Sequence, residues 1–283
     1  MAENDYSILM SVYIREKPEN LREAMDSIWD QTVKTNDFVL VCDGSLTDEL
    51  NTVVEEMEKA HNDLRVIRLE KNGGLGRALR TGIQYCRNEL IARMDSDDIS
   101  RPDRCERQIK VFQERPEISI CSGFVEEFRK TKDQVEARRV LPENSEEINA
   151  FLKKRNPFNH PCVMFRKSAV EKAGGYQDFY LLEDYYLWIR MLTSGCIGYN
   201  IQQPLLWMRV GSDLYKRRAG WKYAMSQRAL FRNMYNKGII TKSQYLIRAT
   251  ARGAASMTPN WLREYVFRKT LRDTRGCIHD SDK

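Results

Sequence analysis

The residues with the most chemistry in them are Met94-Asp95-Ser96-Asp97-Asp98, three carboxylates that directly follow the apolar stretch Leu90-Ile91-Ala92-Arg93-Met94. Carboxylates this close repel one another, so they are costly unless a cation or hydrogen-bond donors compensate them. An Asp-x-Asp where the chain leaves a buried strand points to a divalent metal, and hard oxygen ligands suit Mg2+ or Mn2+ bound together with phosphates. The competing reading is a solvated acidic turn that caps the next helix. A calcium loop is excluded. Counted from Asp95, an EF-hand needs an oxygen ligand at its fifth position and Gly at its sixth, where this chain has Ile99 and Ser100, although Glu106 fits the twelfth.

The elements that must position those acids are legible around them. Residues 6–14 (YSILMSVYI) read as a first strand, and Pro18 opens a helical stretch through Gln31. Phe38-Val39-Leu40-Val41-Cys42 reads as a buried strand ending at Asp43-Gly44-Ser45, followed by a helix from about Thr47 to Ala60. A third strand covers Leu64 to Leu69, a turn Asn72-Gly73-Gly74, and a helix runs to about Cys86. Leu90 to Met94 is the fourth strand, with a helix from Pro102 to Glu114 after the acids. Four strand–helix alternations predict an α/β fold with a parallel sheet covered on both faces. Ligands in such sheets sit beyond the carboxyl ends of the strands, where Asp43 and Asp95 to Asp98 both fall and can face one crevice.

Asn72-Gly73-Gly74-Leu75-Gly76 leads into a helix, and backbone N–H groups there can approach a phosphate. The block contains neither G-x-G-x-x-G nor a Gly-Lys-Ser/Thr pair, so a dinucleotide fingerprint and a P-loop are unsupported, and a tight turn is the favoured reading.

Taken in order, Ser11-Val12-Tyr13, Val41-Cys42-Asp43-Gly44-Ser45, Asn72-Gly73-Gly74-Leu75-Gly76 and Met94-Asp95-Ser96-Asp97-Asp98 resemble the motifs of family 2 glycosyltransferases. The resemblance continues through His160-Pro161-Cys162, Gly174-Gly175-Tyr176, Glu183-Asp184-Tyr185 and Tyr215-Lys216-Arg217-Arg218, covering about residues 5 to 220. It is greatest with bacterial enzymes of O-antigen, capsule and exopolysaccharide synthesis, including the amylovoran type. It implies a GT-A fold: a Rossmann-like, mostly parallel sheet flanked by helices. The expected organisation is a nucleotide-binding half over residues 1–115, an acceptor half over 116–215, a basic helical extension over 216–274 and a disordered tail over 275–283.

The same resemblance implies roles. Asp43 would contact the uracil of a UDP-sugar, Asp95 would lie near the ribose, Tyr13 would join the nucleotide-sugar site, and Asp97 would hold Mn2+ or Mg2+ on the diphosphate. Many relatives have two acids before the Gly-Ser of the second motif, whereas Cys42 occupies the first place here. Asp184 would be the base that deprotonates an acceptor hydroxyl as it attacks the anomeric carbon. Its alternative is an acid placed at a helix N-terminus by the macrodipole. Glu183 and His160 are candidate acceptor or second metal contacts, with a structural histidine the favoured reading for His160. Lys216 and Arg217, with Arg218, could clamp the donor diphosphate, bind the phosphates of a lipid carrier, or lie on a solvated surface, and donor contact is favoured. The acceptor implied is a saccharide on a lipid diphosphate.

Composition narrows the class. The chain has 283 residues and seven cysteines, with no Cys-x-x-Cys pair, which argues against a zinc site or a disulfide framework. Its start (MAENDYSILM) has no basic region and no long apolar core, and no apolar run is long enough to span a bilayer, so a cytoplasmic location is expected. The formal charge of +6 raises nucleic-acid binding as a rival, but no recognition module is present. A sugar nucleotidyltransferase would want a Gly-rich loop with a basic residue by the first strand, and Tyr13-Ile14-Arg15-Glu16-Lys17 has no glycine. A silent sugar-nucleotide-binding protein would not need Asp43, Asp95, Asp97 and Asp184 together. From Arg217 onward, basic residues interleave with Trp221, Tyr223, Phe231, Tyr235, Trp261, Tyr265 and Phe267. Such helices suit the cytoplasmic face of an anionic membrane, or else a helical subdomain with an aromatic core and a charged face.

Overall fold

The computed structural model describes residues 5–211 and 219–259. The alternation expected from sequence is present: β1 (Tyr6–Val12), α1 (Pro18–Trp29), β2 (Asp37–Cys42), α2 (Asp48–Ala60), β3 (Leu64–Arg68), α3 (Leu75–Tyr85) and β4 (Leu90–Asp95). A two-residue β5 (Ile99–Ser100) follows, then α4 (Arg104–Glu114), the long β6 (Ile118–Phe128), β7 (Val135–Arg139) and α5 (Ser145–Leu152). After a 3-10 turn at His160–Cys162 come β8 (Met164–Arg166), α6 (Lys167–Lys172), α7 (Glu183–Thr193) and β9 (Ile197–Arg209). Two helices close the described chain, α8 (Trp221–Asn236) and α9 (Lys242–Met257).

All nine strands form one sheet in the order β3-β2-β1-β4-β8-β6-β9-β5, with β7 paired to β6. The first four strands are parallel throughout, as are β6 and β9. Every antiparallel pair involves one of the short strands β5, β7 or β8. The described strands before and after residue 115 therefore share a single sheet, joined at the β4–β8 and β5–β9 pairs.

Strands buried on both faces need apolar residues on both, and β1 shows why. Tyr6, Ile8, Met10 and Val12 pack into one core with α1, α2 and α4, whereas Leu9 faces the other with Val39, Val41 and α3. The second core also takes Leu187, Trp188 and Met191 of α7, and Tyr223, Leu230, Phe231 and Met234 of α8. The C-terminal helices are thus docked on the core that α7 shares, and Tyr223 and Phe231 belong to that core rather than to an outer aromatic face. Thr241 opens α9 with a capping box completed by Gln244. No helix among the described residues is long and apolar enough to cross a membrane. The six cysteines described are free. Lys216, Arg217 and Arg218, the aromatic residues from Trp261 onward, and the tail over 275–283 lie outside the described residues.

Candidate active site

The site is assembled from the carboxyl ends of β2 and β4 and from the start of α7. At the end of β2, Asp43 is buried, and its carboxylate accepts hydrogen bonds from the backbone N–H groups of Gly73 (2.8 Å) and Gly74 (2.9 Å). Asn72 donates its side-chain amide to the Asp43 carbonyl at 3.0 Å. Gly44 takes φ +86°, and a Cβ there would lie 2.6 Å from the Asn72 nitrogen, so neither its conformation nor its space admits a side chain. The Gly block is therefore a turn held by Asp43, with two of its N–H groups committed to that acid.

Asp95 closes β4 opposite Ser11 of β1, and Ser96, Asp97 and Asp98 continue from it. One carboxylate oxygen each from Asp95, Asp97 and Asp98 lies within 4.8 Å of the others, which is metal-ligand spacing. Arg93, fully buried two residues earlier, forms an ion pair with Asp95. Burial opposes the Arg93 charge, but Asp95 and then Tyr176 hold its proton more tightly than usual. Asp98 is turned inward. Its Oδ1 accepts from the Arg209 backbone N–H at 2.9 Å, tying the cluster to β9, and its Oδ2 is buried with no hydrogen-bond partner. Burial first, and then the charges of Asp97 and Asp95, push the Asp98 carboxyl well above the usual carboxylate range. An all-oxygen set with an orphaned buried oxygen fits Mn2+ or Mg2+, which would relieve the repulsion among the three acids.

The other half of the site starts at a strained residue. Leu181 has φ +56°, unlike any other non-glycine residue described, and the chain turns there so that Glu183 and Asp184 open α7. Gly76 of α3 makes room for this, since a Cβ on it would lie 3.2 Å from Glu183 Cβ. Asp184 Oδ2 accepts from the Asn156 side chain at 2.7 Å, and its Oδ1 accepts from the Tyr185 backbone N–H at 2.6 Å. Asn156 thus orients the carboxylate from outside its own helix. Burial and the neighbouring Asp184 charge raise the Glu183 carboxyl to about 7. His160 Nε2 lies 2.7 Å from the Tyr176 hydroxyl, while its Nδ1 stands 4.0 Å from Asp184 Oδ2. Burial, and then the Arg93 charge, push the His160 pKa well below its usual value, so the ring is neutral.

A cleft of about 310 Å³ brings the two halves together, lined by Asp95, His160, Glu183 and Asp184 along with Asn156 and Leu75. Among the described residues, neither His160 nor Glu183 belongs to the metal-ligand cluster. His160 instead buttresses the Asp184 side of the cleft, with Trp188 edge-on to its ring. Tyr13 follows the last residue of β1 and is partly exposed. Sequence reasoning missed Arg93, Asn156, Tyr176 and the inward turn of Asp98. Arg93 did leave a signal, as the lone cation in a strand that is otherwise apolar up to Asp95. Asn156 left none, because its partner lies 28 residues away.

One curled sheet with an acidic cluster at a parallel strand's end and a second acidic pair across a cleft defines the GT-A class of nucleotide-sugar enzymes. The structure superposes on Staphylococcus aureus TarS 1-349 in complex with UDP-GlcNAc with a TM-score of 0.67, covering 94% of this chain and 76% of that one at 15% identity. It also superposes on the mannosyltransferase PcManGT from Pyrobaculum calidifontis in complex with GDP-Man and Mn2+, with a TM-score of 0.62 over 95% of this chain and 80% of that one, again at 15% identity. Residues 7–174 match the family described as Glycosyl transferase family 2, and the chain belongs to that family. It is 38% identical, over 94% of its length and 96% of the relative, to the UDP-Gal:alpha-D-GlcNAc-diphosphoundecaprenol beta-1,3-galactosyltransferase of Escherichia coli. It is 39% identical to the amylovoran biosynthesis glycosyltransferase AmsE of Erwinia amylovora, over 80% of this chain and 84% of that one. The protein is a glycosyltransferase. Enzymes of this class generally use a divalent metal, and the Asp95-Asp97-Asp98 cluster supplies suitable oxygens for one.

Proposed function

We propose that the enzyme transfers a hexose from a UDP-sugar to a saccharide carried on a lipid diphosphate, with inversion, in the synthesis of a bacterial surface polysaccharide. The observation that carries this reading is one cleft lined both by Asp95 of the metal-type cluster and by Asp184 of the hydrogen-bonded acidic pair. Asp97, with Asp95 and Asp98, would hold Mn2+ or Mg2+, which when bound offsets the charge growing on the departing diphosphate. Asp43 and Tyr13 would receive the nucleotide, and Lys216 and Arg217 its diphosphate. Asp184, aimed by Asn156, would take the proton of an acceptor hydroxyl as that oxygen bonds to the anomeric carbon. The bond from that carbon to the diphosphate oxygen breaks on the opposite face, so an α-linked donor yields a β-linked product and UDP.

A lipid-linked acceptor implies work at the cytoplasmic face of a membrane, and the C-terminal helices support this. From Leu214 to Arg263 the sequence has not one Asp or Glu. On α9, Leu246, Ile247, Ala251, Ala254 and Met257 form an exposed stripe at helical spacing, and Ile247 and Met257 are 68% and 62% exposed. Trp221, at the start of α8, is 69% exposed. An apolar stripe on an acid-free basic helix suits an anionic bilayer surface.

The test is a calorimetric titration of UDP into the protein with and without Mn2+, repeated on Asp97→Ala. Binding that strengthens with Mn2+ in the wild type, and loses that gain in Asp97→Ala, is expected. Equal UDP affinity in the two proteins with Mn2+ present would overturn the metal assignment, and no UDP binding under either condition would overturn the donor.

A further inference from the structure

A second group of charges lies in the cleft, away from the metal-type cluster. Arg155, just before Asn156, and Arg252, on α9, both line the cleft that Asp184 lines. Arg248 sits one helical turn before Arg252, and its Nη1 is buried with no hydrogen-bond partner. Arg252 donates to the Lys154 carbonyl at 3.3 Å, and the Arg155 guanidinium stands 5.4 Å from the Phe151 ring centre. All three cations act on the Tyr185 hydroxyl. Burial raises the Tyr185 hydroxyl pKa, and Arg252, Arg248 and Arg155 are the charges that pull it back. The groups governed by Arg93 and Asp95 are different ones, Glu183 and Tyr176.

Neither α8 nor α9 carries an acid beside Arg248 and Arg252. A buried guanidinium nitrogen without a hydrogen-bond partner is costly, and an anion brought to Arg248 would relieve that cost. Guanidinium forks match phosphate oxygens in pairs, which favours arginine over lysine at such a place. Arg252 lies on the face of α9 turned to the cleft, and the apolar stripe of Leu246, Ile247, Ala251, Ala254 and Met257 is exposed on the same helix. A molecule with a sugar at Asp184, a diphosphate next to that sugar and a hydrocarbon tail beyond would meet these surfaces in that order.

We propose that Arg155, Arg248 and Arg252 form a second diphosphate site, separate from that of the donor, which holds the diphosphate of the lipid-linked acceptor. The inference rests on the glycosyltransferase reading above and names how its acceptor is held. Its test uses farnesyl diphosphate as the probe and farnesol as the control, each titrated into the full chain saturated with UDP and Mn2+. Farnesyl diphosphate should bind alongside UDP and more tightly than farnesol. In Arg155→Gln and in Arg252→Gln its Kd should rise about tenfold, the worth of one charge-assisted pair, with UDP affinity unchanged. Arg252→Lys, which keeps the charge and loses the fork, should fall between, and circular dichroism checks that each variant is folded. Three outcomes would overturn the site: unchanged farnesyl diphosphate affinity in both Gln variants, equal binding of farnesol and its diphosphate, or displacement of the probe by UDP. Absence of UDP binding to the wild type would instead strike the UDP-sugar donor proposed above, independently of what the prenyl probe does.

Discussion

Replacing Glu183 by Gln should make the protein more stable at neutral pH than the wild type, although it removes a charge from the active site. In the folded chain, burial and the adjacent Asp184 raise the Glu183 carboxyl from 4.5 to about 7. A raised carboxylate pKa means that the folded state binds the proton more tightly than the unfolded state does. Stability from this group is therefore complete below pH 4.5, declines as the unfolded chain ionises first, and is lost once pH passes about 7. A difference of that size corresponds to roughly 3 kcal/mol across the window. Glutamine keeps the shape and cannot ionise, so the decline disappears. Urea unfolding in metal-free buffer at pH 4.5 and pH 8 should show the Gln variant gaining about 3 kcal/mol on the wild type between the two. For a chain of this length that is a melting-temperature gap of about 6–12 °C, opening only at the higher pH. If the two proteins lose stability in parallel, Glu183 is not the buried, proton-holding neighbour of Asp184 described above.

Two further substitutions separate the chemistry from the scaffold. Asp184→Asn should retain UDP binding and lose about 10²–10⁴-fold in turnover, measured by UDP release with acceptor present, and wild-type turnover would rule out Asp184 as the base. Asp43→Ala leaves the N–H groups of Gly73 and Gly74 without their acceptor, which should cost about 2 kcal/mol of stability in denaturant unfolding. An Asp43→Ala variant as stable as the wild type would mean that those two hydrogen bonds contribute nothing to holding the turn.

What the sequence displayed, and what it hid, divides along the range of the interactions. The alternation from Tyr6 to Glu114 was legible because each strand is a short apolar run bounded by its own turn residues, and the structure follows it within a few residues. The acids of the site were legible for the same reason, since each sits at or just past a strand's end or at a helix's start. The long β6 and its pairing with β9 depend on partners some 80 positions away, and the sequence reading passed over them. Asp98 read as one more acid in a run, yet its orientation is decided by the Arg209 backbone N–H from β9. The basic C-terminal segment looked alike on all sides. Only docking shows Tyr223 and Phe231 to be core, Arg252 to face the cleft, and Leu246 and Ile247 to point outward.

The single sheet that runs from β3 to β5 also sets how selectivity can arise. The metal-type acids sit at the end of β4, and α7 packs Leu187, Trp188 and Met191 into the core on one face of that same sheet, so those acids and Asp184 share one frame. In the reaction proposed above the frame would work as a jig: whichever acceptor hydroxyl is presented at Asp184 would be the one that becomes linked. Linkage position would therefore be chosen by the segments that hold the incoming sugar, such as the loop carrying Arg155 and Asn156, and those segments can change without resetting the chemistry behind them.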